Sequence, residues 1–311
     1  VGAGSARLAL HAWSSDHFEV TLPEGHPFPI AKYRLLRETL VDEGVIECMN
    51  MHSSNQAPVE WLLRVHDHEY VDRVLSGHMS AAEQRRLGLP WSAALVDRAR
   101  GALYGTVLAA EAALEHGVAG NLAGGTHHAF RDRAEGYCLF NDVAAAIAHL
   151  RASGSARRPF VADLDVHQGN GTAAMFAEDP SVFTFSMHAI DNYPATKERG
   201  SLDVELATGC GDADYLAALD AHLPAALDAH APDLVFFQAG VDALEGDRFG
   251  RLALTYAGLA ARDERVFEWC EARGLPVVVT LGGGYARPIE RTVEAHANVW
   301  RAARRARERR G

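Results

Sequence analysis

The chain has 311 residues, 48% of them hydrophobic and 23% charged, with a formal net charge of −11. That is enough apolar content for a large α/β core, while the negative balance weighs against a protein that grips nucleic acid with its whole surface. No apolar stretch reaches the roughly 20 residues of a membrane span, the first residues lack a basic region followed by an apolar one, and Cys48, Cys138, Cys210 and Cys270 lack C-x-x-C spacing. A protein of the cytoplasm with reduced thiols is expected, with no membrane partner, no direct nucleic-acid partner, no disulfide framework and no thiolate zinc site. The first residue is Val1 rather than Met, so the start is either processed or incomplete.

In chain order, residues 7–13 read as a strand, and 30–43 as an amphipathic helix with Leu35, Leu36, Leu40 and Val41 on one side. Residues 56–76 read as one or two shorter helices. His66-Asp67-His68 lies within that pattern, where residues two apart do not face each other, so a structural role is expected for it. A helix rich in Ala and Leu opens near Ser92 and runs to about His116, with Gly117 where a C-terminal cap belongs. Beyond it, short apolar runs at 118–123, 159–165, 182–187, 233–239 and 276–281 alternate with helical patterns at 141–152, 212–229, 255–273 and 287–308. At least six strands alternating with helices, without linker or repeat, predict one three-layer α/β/α domain over 1–311 built on a parallel sheet. The last helix carries Arg301, Arg304, Arg305, Arg307, Arg309 and Arg310, cations well placed at its negative pole and read as its solvated end rather than a nucleic-acid arm.

The run 159–165 leads into Asp163-Leu164-Asp165-Val166-His167, in which alternate side chains of an extended chain share one side. Alone, such a run is explained by a helix cap and a satisfied histidine. Three other strand ends carry similar residues, however: His127-His128 after Gly124-Gly125, Asp242 after Gly240-Val241, and Tyr285 after Gly282-Gly283-Gly284. Ligands of open parallel sheets gather beyond the carboxyl ends of the strands, so neighbouring strands would bring these groups together at a metal. The tandem histidines suit either ligation or general acid and base work. Tyr285 reads either as a lid on the core or as a phenol that donates to a substrate carbonyl. Gly169-Asn170-Gly171-Thr172-Ala173-Ala174, with Asp191 placed 20 residues after Gly171, also fits a dinucleotide fingerprint. Bare carboxylates at the same strand end would repel a pyrophosphate, so the glycines are read instead as allowing close backbone approach and starting a helix.

Taken together, His127-His128-Ala129, the run Asp163 to Gly171, Gly240-Val241-Asp242 and Leu281-Gly282-Gly283-Gly284-Tyr285 resemble, in order and spacing, the zinc-dependent histone deacetylase family of the arginase/deacetylase superfamily. Gly25-His26-Pro27-Phe28 is similar to the family's N-terminal segment, and Gly246-Asp247-Arg248 with the run from Asp163 is most like the class IV branch. The resemblance implies a parallel sheet of about eight strands flanked by helices. It assigns Zn²⁺ to Asp165, His167 and Asp242, with positions left for water and substrate. His128 would be the general base and then acid, His127 its electrostatic partner, and Tyr285 the oxyanion donor. Asp163 would support His127, and Asn170 would support His128, where an amide makes a less basic ring than the carboxylate of other branches. A monovalent cation, usually K⁺, is implied beside Asp163, Asp165, His167 and Ser186, and an acyl channel lined by Gly136, Tyr137, Tyr193 and Phe249.

The implied activity is removal of an acetyl or longer acyl group from a lysine side chain or another primary amine by metal-activated water. An acetylpolyamine or small-molecule amide deacetylase of the same fold is the alternative. A non-catalytic acyl-lysine binder would be expected to lose His128 or Tyr285, and both are kept. An arginase-like site with two metals would need a second carboxylate where Gly240-Val241-Asp242 supplies one. Oligomeric state is left open.

Overall fold

The computed structural model describes residues 9–309. Its strands are β1 His11–Ser14, β2 Met51–Ser53, β3 Val118–Asn121, β4 Pro159–Asp163, β5 Phe183–Ala189, β6 Leu202–Leu206, β7 Leu234–Gln238 and β8 Val277–Thr280. They form one parallel sheet in the order β2-β1-β3-β8-β7-β4-β5-β6. The helices are α1 Lys32–Asp42, α2 Val59–Leu62, α3 His68–Leu75, α4 Ala81–Leu87, α5 Ala93–His116, α6 Asp142–Ser153, α7 Asn170–Phe176, α8 Asp212–His230, α9 Tyr256–Ala272 and α10 Ile289–Arg309.

Central parallel strands are buried on both faces, which is why β7 and β8 are nearly uninterrupted apolar runs. Alternate residues feed two cores. Val235, Phe237, Val277 and Val279 pack with Phe267 and Trp300 under α1, α8, α9 and α10, whereas Leu234, Phe236 and Val278 pack with Leu103, Phe140 and Ile147 under α5 and α6. The long helix α5 is bounded as its sequence suggests: Ser92 Oγ accepts from the Leu95 N–H at 3.1 Å, and Gly117 ends it at φ 86°.

The strand and helix alternation is as expected, and several details differ. Residues 7 and 8 of the first expected strand lie outside the described residues, and β1 proper begins at His11. The edge strand β2 is three residues long, too short for a periodic signal, and β6 and α4 were also unforeseen. His66-Asp67-His68 straddles a helix start rather than lying within a helix, since Asp67 is the residue before α3. His66 is structural: its Nδ1 lies 2.9 Å from the Phe130 carbonyl, and its Nε2 accepts from the Asn141 N–H at 3.0 Å. Four of the terminal arginines lie on α10 in pairs with acids, Arg301 with Glu43 and Glu294, Arg304 with Glu308, Arg305 with Glu264 and Arg309 with Glu271. Arg307, against the expectation of a solvated end, is buried and donates to the Ala9 carbonyl at 3.4 Å, and Arg310 lies outside the described residues. Among the described residues, no helix is long and apolar enough to cross a membrane.

Gly120 on β3 lies tightly between β8 and α10: a Cβ there would lie 2.5 Å from the Val279 carbonyl oxygen and 2.9 Å from the Trp300 ring. Gly120→Ala is expected to destabilise the protein by about 1–3 kcal/mol through overpacking. The check is the urea midpoint at unchanged slope.

Candidate active site

The sheet order places the carboxyl ends of β3, β8, β7 and β4 side by side. Beyond β4 the chain turns through Asp165 to His167, and beyond β7 it delivers Asp242. His167 Nδ1 lies 3.1 Å from Asp165 Oδ1 and 3.1 Å from Asp242 Oδ2, and the three ligand atoms lie within 4.8 Å of one another. All three residues are buried. Burial disfavours a charged ring, yet the two carboxylates draw His167 up to about 10. Burial and the neighbouring Asp165 raise Asp242 to about 6. Two carboxylates and an imidazole nitrogen, all facing one point that favours positive charge, fit a divalent transition metal.

Their backbone supports are specific. The Gly283 N–H donates to Asp165 Oδ2 at 2.6 Å, and the Val166 N–H donates to Asp242 Oδ1 at 2.9 Å. Buried Arg262 of α9 reaches under both strand ends, donating to the carbonyls of Leu164 at 3.2 Å and Gly240 at 2.6 Å.

The loop after β3 carries the histidine pair. Asp142, at the start of α6, accepts from the Thr126 N–H at 2.7 Å and from Gly125 at 2.9 Å, while Gln238 Nε2 donates to the Gly125 carbonyl at 2.8 Å. The loop is therefore held to β7 and α6 rather than free. His127 Nδ1 lies 2.7 Å from Asp163 Oδ2, and His128 Nδ1 lies 2.6 Å from Asn170 Oδ1. Burial opposes charge on His127, but Asp163 outweighs it and draws the ring up to about 9. His128 has an amide instead, so burial and the nearby His127 and His167 push it well below the usual histidine range. Of two adjacent imidazoles, one favours its proton and the other its lone pair.

Tyr285 follows the glycine run on the far wall. Its N–H donates to Asp247 Oδ2 at 2.6 Å, and Asp247 Oδ1 accepts from the Phe249 N–H at 2.8 Å, so one carboxylate ties the two segments together. Burial, with Asp242 and Asp165 nearby, raises the phenol well above its usual range and keeps it a donor. A cleft of about 480 Å³ opens over the site, lined among others by His128, His167, Tyr285, Gly136, Tyr137, Tyr193 and Phe249. The phenyl ring of Phe249 lies edge-on to Tyr285 with centroids 4.9 Å apart, and Tyr193 lies edge-on to His128 at 5.0 Å.

Residues 26–302 match the family described as the histone deacetylase domain. The chain belongs to the histone deacetylase family. It is 47% identical over 283 residues to an uncharacterised protein of Picosynechococcus sp., covering 91% of this chain and 94% of that one. To histone deacetylase 2 of Arabidopsis thaliana it is 32% identical over 303 residues, covering 91% of this chain and 76% of the relative. The crystal structure of a histone deacetylase homologue complexed with SAHA matches it with a TM-score of 0.83 at 25% identity, over 95% of this chain and 84% of that one. The three-layer α/β/α architecture with its eight-stranded parallel sheet is the arginase/deacetylase fold.

In this family member, the residues singled out from the sequence fall into distinct places. Asp165, His167 and Asp242 form the centre; Asp163, which shares their strand end, instead faces His127. Ser186 sits opposite Asp163 in the β4/β5 register, with its hydroxyl 2.9 Å from His188 Nδ1. Gly136, Tyr137, Tyr193 and Phe249 all line the cleft. The dinucleotide alternative loses its footing, because Asp191 bonds the Thr208 hydroxyl and a side chain at Gly169 would run into the Asp163 carboxylate. Sequence reasoning missed Lys32, Glu135, Asp142, Arg262 and, as a support for Tyr285, Asp247. Lys32 is buried beneath the glycine run, donating to the carbonyls of Gly282 at 3.2 Å and Gly284 at 3.4 Å, and burial lowers it to about 8 despite the acids around it. A lone lysine in an amphipathic helix gives no sign of this. Asp142, directly after Asn141 at a helix start, resembles an ordinary first-turn acid.

A methyl group at Gly283 would run into the Asp242 carboxylate beside Asp165. Gly283→Ala is expected to weaken divalent-metal binding by about 10–100-fold, the scale of disturbing groups that orient ligands, with the fold kept. Calorimetric titration together with circular dichroism checks both parts.

Proposed function

We propose that the protein is a zinc-dependent deacylase that hydrolyses the amide of an acylated lysine or similar primary amine. One observation carries this: His167, held between the buried carboxylates of Asp165 and Asp242, lines one cleft with a low-pKa imidazole, His128, and a protonated phenol, Tyr285. A Zn²⁺ ion held by those three ligands would supply Lewis-acid polarisation of the carbonyl and acidify water. His128, with its lone pair available, takes the proton from the attacking water and returns it to the leaving amine. His127, kept cationic by Asp163, adds positive charge beside the developing oxyanion without competing for the proton. Tyr285 donates its hydroxyl to that oxyanion. The resemblance further supplies K⁺ beside Asp163, Asp165, His167 and Ser186, the class IV branch and a cytoplasmic setting as parts of the proposal. It favours a catalyst over a binder because every group the chemistry uses is present.

The walls of the channel, Tyr137, Tyr193 and Phe249, suit an uncharged acyl chain. Arg86, Arg248 and Arg251 line the cleft with no ion-pair partner among the described residues, against Asp191, which accepts from the Thr208 hydroxyl. That local excess of positive charge supports an acyl-lysine over an acylated polyamine, which would bring further ammonium groups. Acetyl-lysine peptides are therefore expected to surpass acetylpolyamines in kcat/KM by roughly tenfold or more at low salt. The reverse order would favour the polyamine alternative.

Tyr285→Phe is expected to lower kcat by on the order of 10²-fold, the scale of losing one oxyanion donor, with metal content and KM little changed. An unchanged kcat would remove Tyr285 from the mechanism.

A further inference from the structure

Glu135 has no place in the roles assigned above, yet it completes a hydrogen-bonded chain to His128. Its Oε1 accepts from Asn170 Nδ2 at 3.1 Å and from the Tyr193 hydroxyl at 2.5 Å, while Asn170 Oδ1 lies 2.6 Å from His128 Nδ1. The other carboxylate oxygen, Oε2, faces Arg133 Nε at 3.5 Å. Asn170 and His128 are buried, so neither finds a substitute partner in solvent.

The chemistry of these groups fixes the direction of each bond. A carboxylate only accepts, an amide has one donor end and one acceptor end, and a neutral imidazole has one of each. With Glu135 accepting, the Asn170 nitrogen must face it and the amide oxygen must face His128. That oxygen requires hydrogen on Nδ1, which leaves Nε2 with a free lone pair. Turned the other way, the amide would present its NH₂ to Nδ1, put the hydrogen on Nε2 and remove the base. Asn170 by itself does not choose between the two. A carboxylate at position 170 would accept from Nδ1 in either orientation and need no such partner.

We infer that Glu135 is a positioning residue that orients the Asn170 amide and, through it, sets the tautomer of His128. The inference rests on the reading of His128 as general base. Because Tyr193 donates to the same oxygen, a wall of the substrate channel is tied to the same support.

The test uses the metal-loaded protein labelled with ¹⁵N-histidine, comparing wild type, Glu135→Gln, Asn170→Asp and the double variant. In the wild type, long-range ¹H–¹⁵N correlations should show hydrogen on Nδ1 of His128. Glu135→Gln, similar in shape but able to donate, should populate the Nε2–H tautomer and lower kcat/KM by roughly tenfold, within the range of general-base effects. Asn170→Asp should lose activity because it sets two carboxylates against each other. The double variant should recover above both single variants, with hydrogen back on Nδ1, since the amide introduced at position 135 can then donate to the carboxylate introduced at position 170. An unchanged tautomer in Glu135→Gln, or losses that simply add in the double variant, would overturn the inference. A changed tautomer with full activity would instead support the positioning role and overturn His128 as the base, so the two failures are distinguishable.

Discussion

Asp165 and Asp242 are both fully buried, and both face Nδ1 of His167 at 3.1 Å. Keeping two like charges out of water at one point is costly unless opposite charge joins them, and the surrounding structure answers to that constraint. Backbone N–H groups of Val166, His167 and Gly283 donate to the two carboxylates. Beneath them, Arg262 spans the carbonyls of Leu164 and Gly240 and so holds the two carboxylate-bearing segments in register, with Asp263 beside it at 2.8 Å. Lys32 does the same for the third wall, bracing the glycine run that ends in Tyr285. Strand ends alone would give proximity; these buried cations on backbone oxygens give fixed geometry.

The same centre explains why the two adjacent histidines differ. Burial disfavours charge on both rings; the carboxylate behind His127 outweighs it and holds that ring at about 9, whereas His128, backed by a neutral amide and facing His127 and His167, falls well below the usual value. Both supporting oxygens accept from a ring nitrogen, so it is the charge behind His127, not the direction of the bond, that favours the proton there and the lone pair on His128. The amide has a cost, because it has two faces, and the nearby Glu135 is the group that selects between them.

Much of this was legible in the sequence where function coincides with periodicity. The apolar runs of β4, β7 and β8 end abruptly in Asp, His or Gly, so strand ends and candidate site residues could be read together, and the strand order brings them into one place. Strand alternation placed Asp163 with Asp165 and His167, but β4 ends at Asp163, which faces His127, and the bend that follows carries Asp165 and His167 to the other group; the family pattern, not the alternation, separates those roles. The short edge strand β2 carries too few residues for any period. Supports such as Arg262 and Glu135 could not be read, because each acts on residues distant in the chain through a single side chain on an otherwise ordinary helix or loop. Arg262 meets Leu164 across 98 positions, and Glu135 meets Asn170 across 35.

The central claim is that Asp165, His167 and Asp242 form one divalent-metal centre on which activity depends. Metal analysis of the purified protein, followed by calorimetric titration of the chelator-stripped protein with Zn²⁺, tests it most directly when repeated on Asp242→Ala. The account predicts one tightly bound ion per chain in the wild type, with hydrolysis of an acetyl-lysine peptide restored on its return. In Asp242→Ala it predicts neither ion nor activity, at an unchanged circular dichroism spectrum. Two bound ions in the active protein, or full activity in Asp242→Ala, would contradict it.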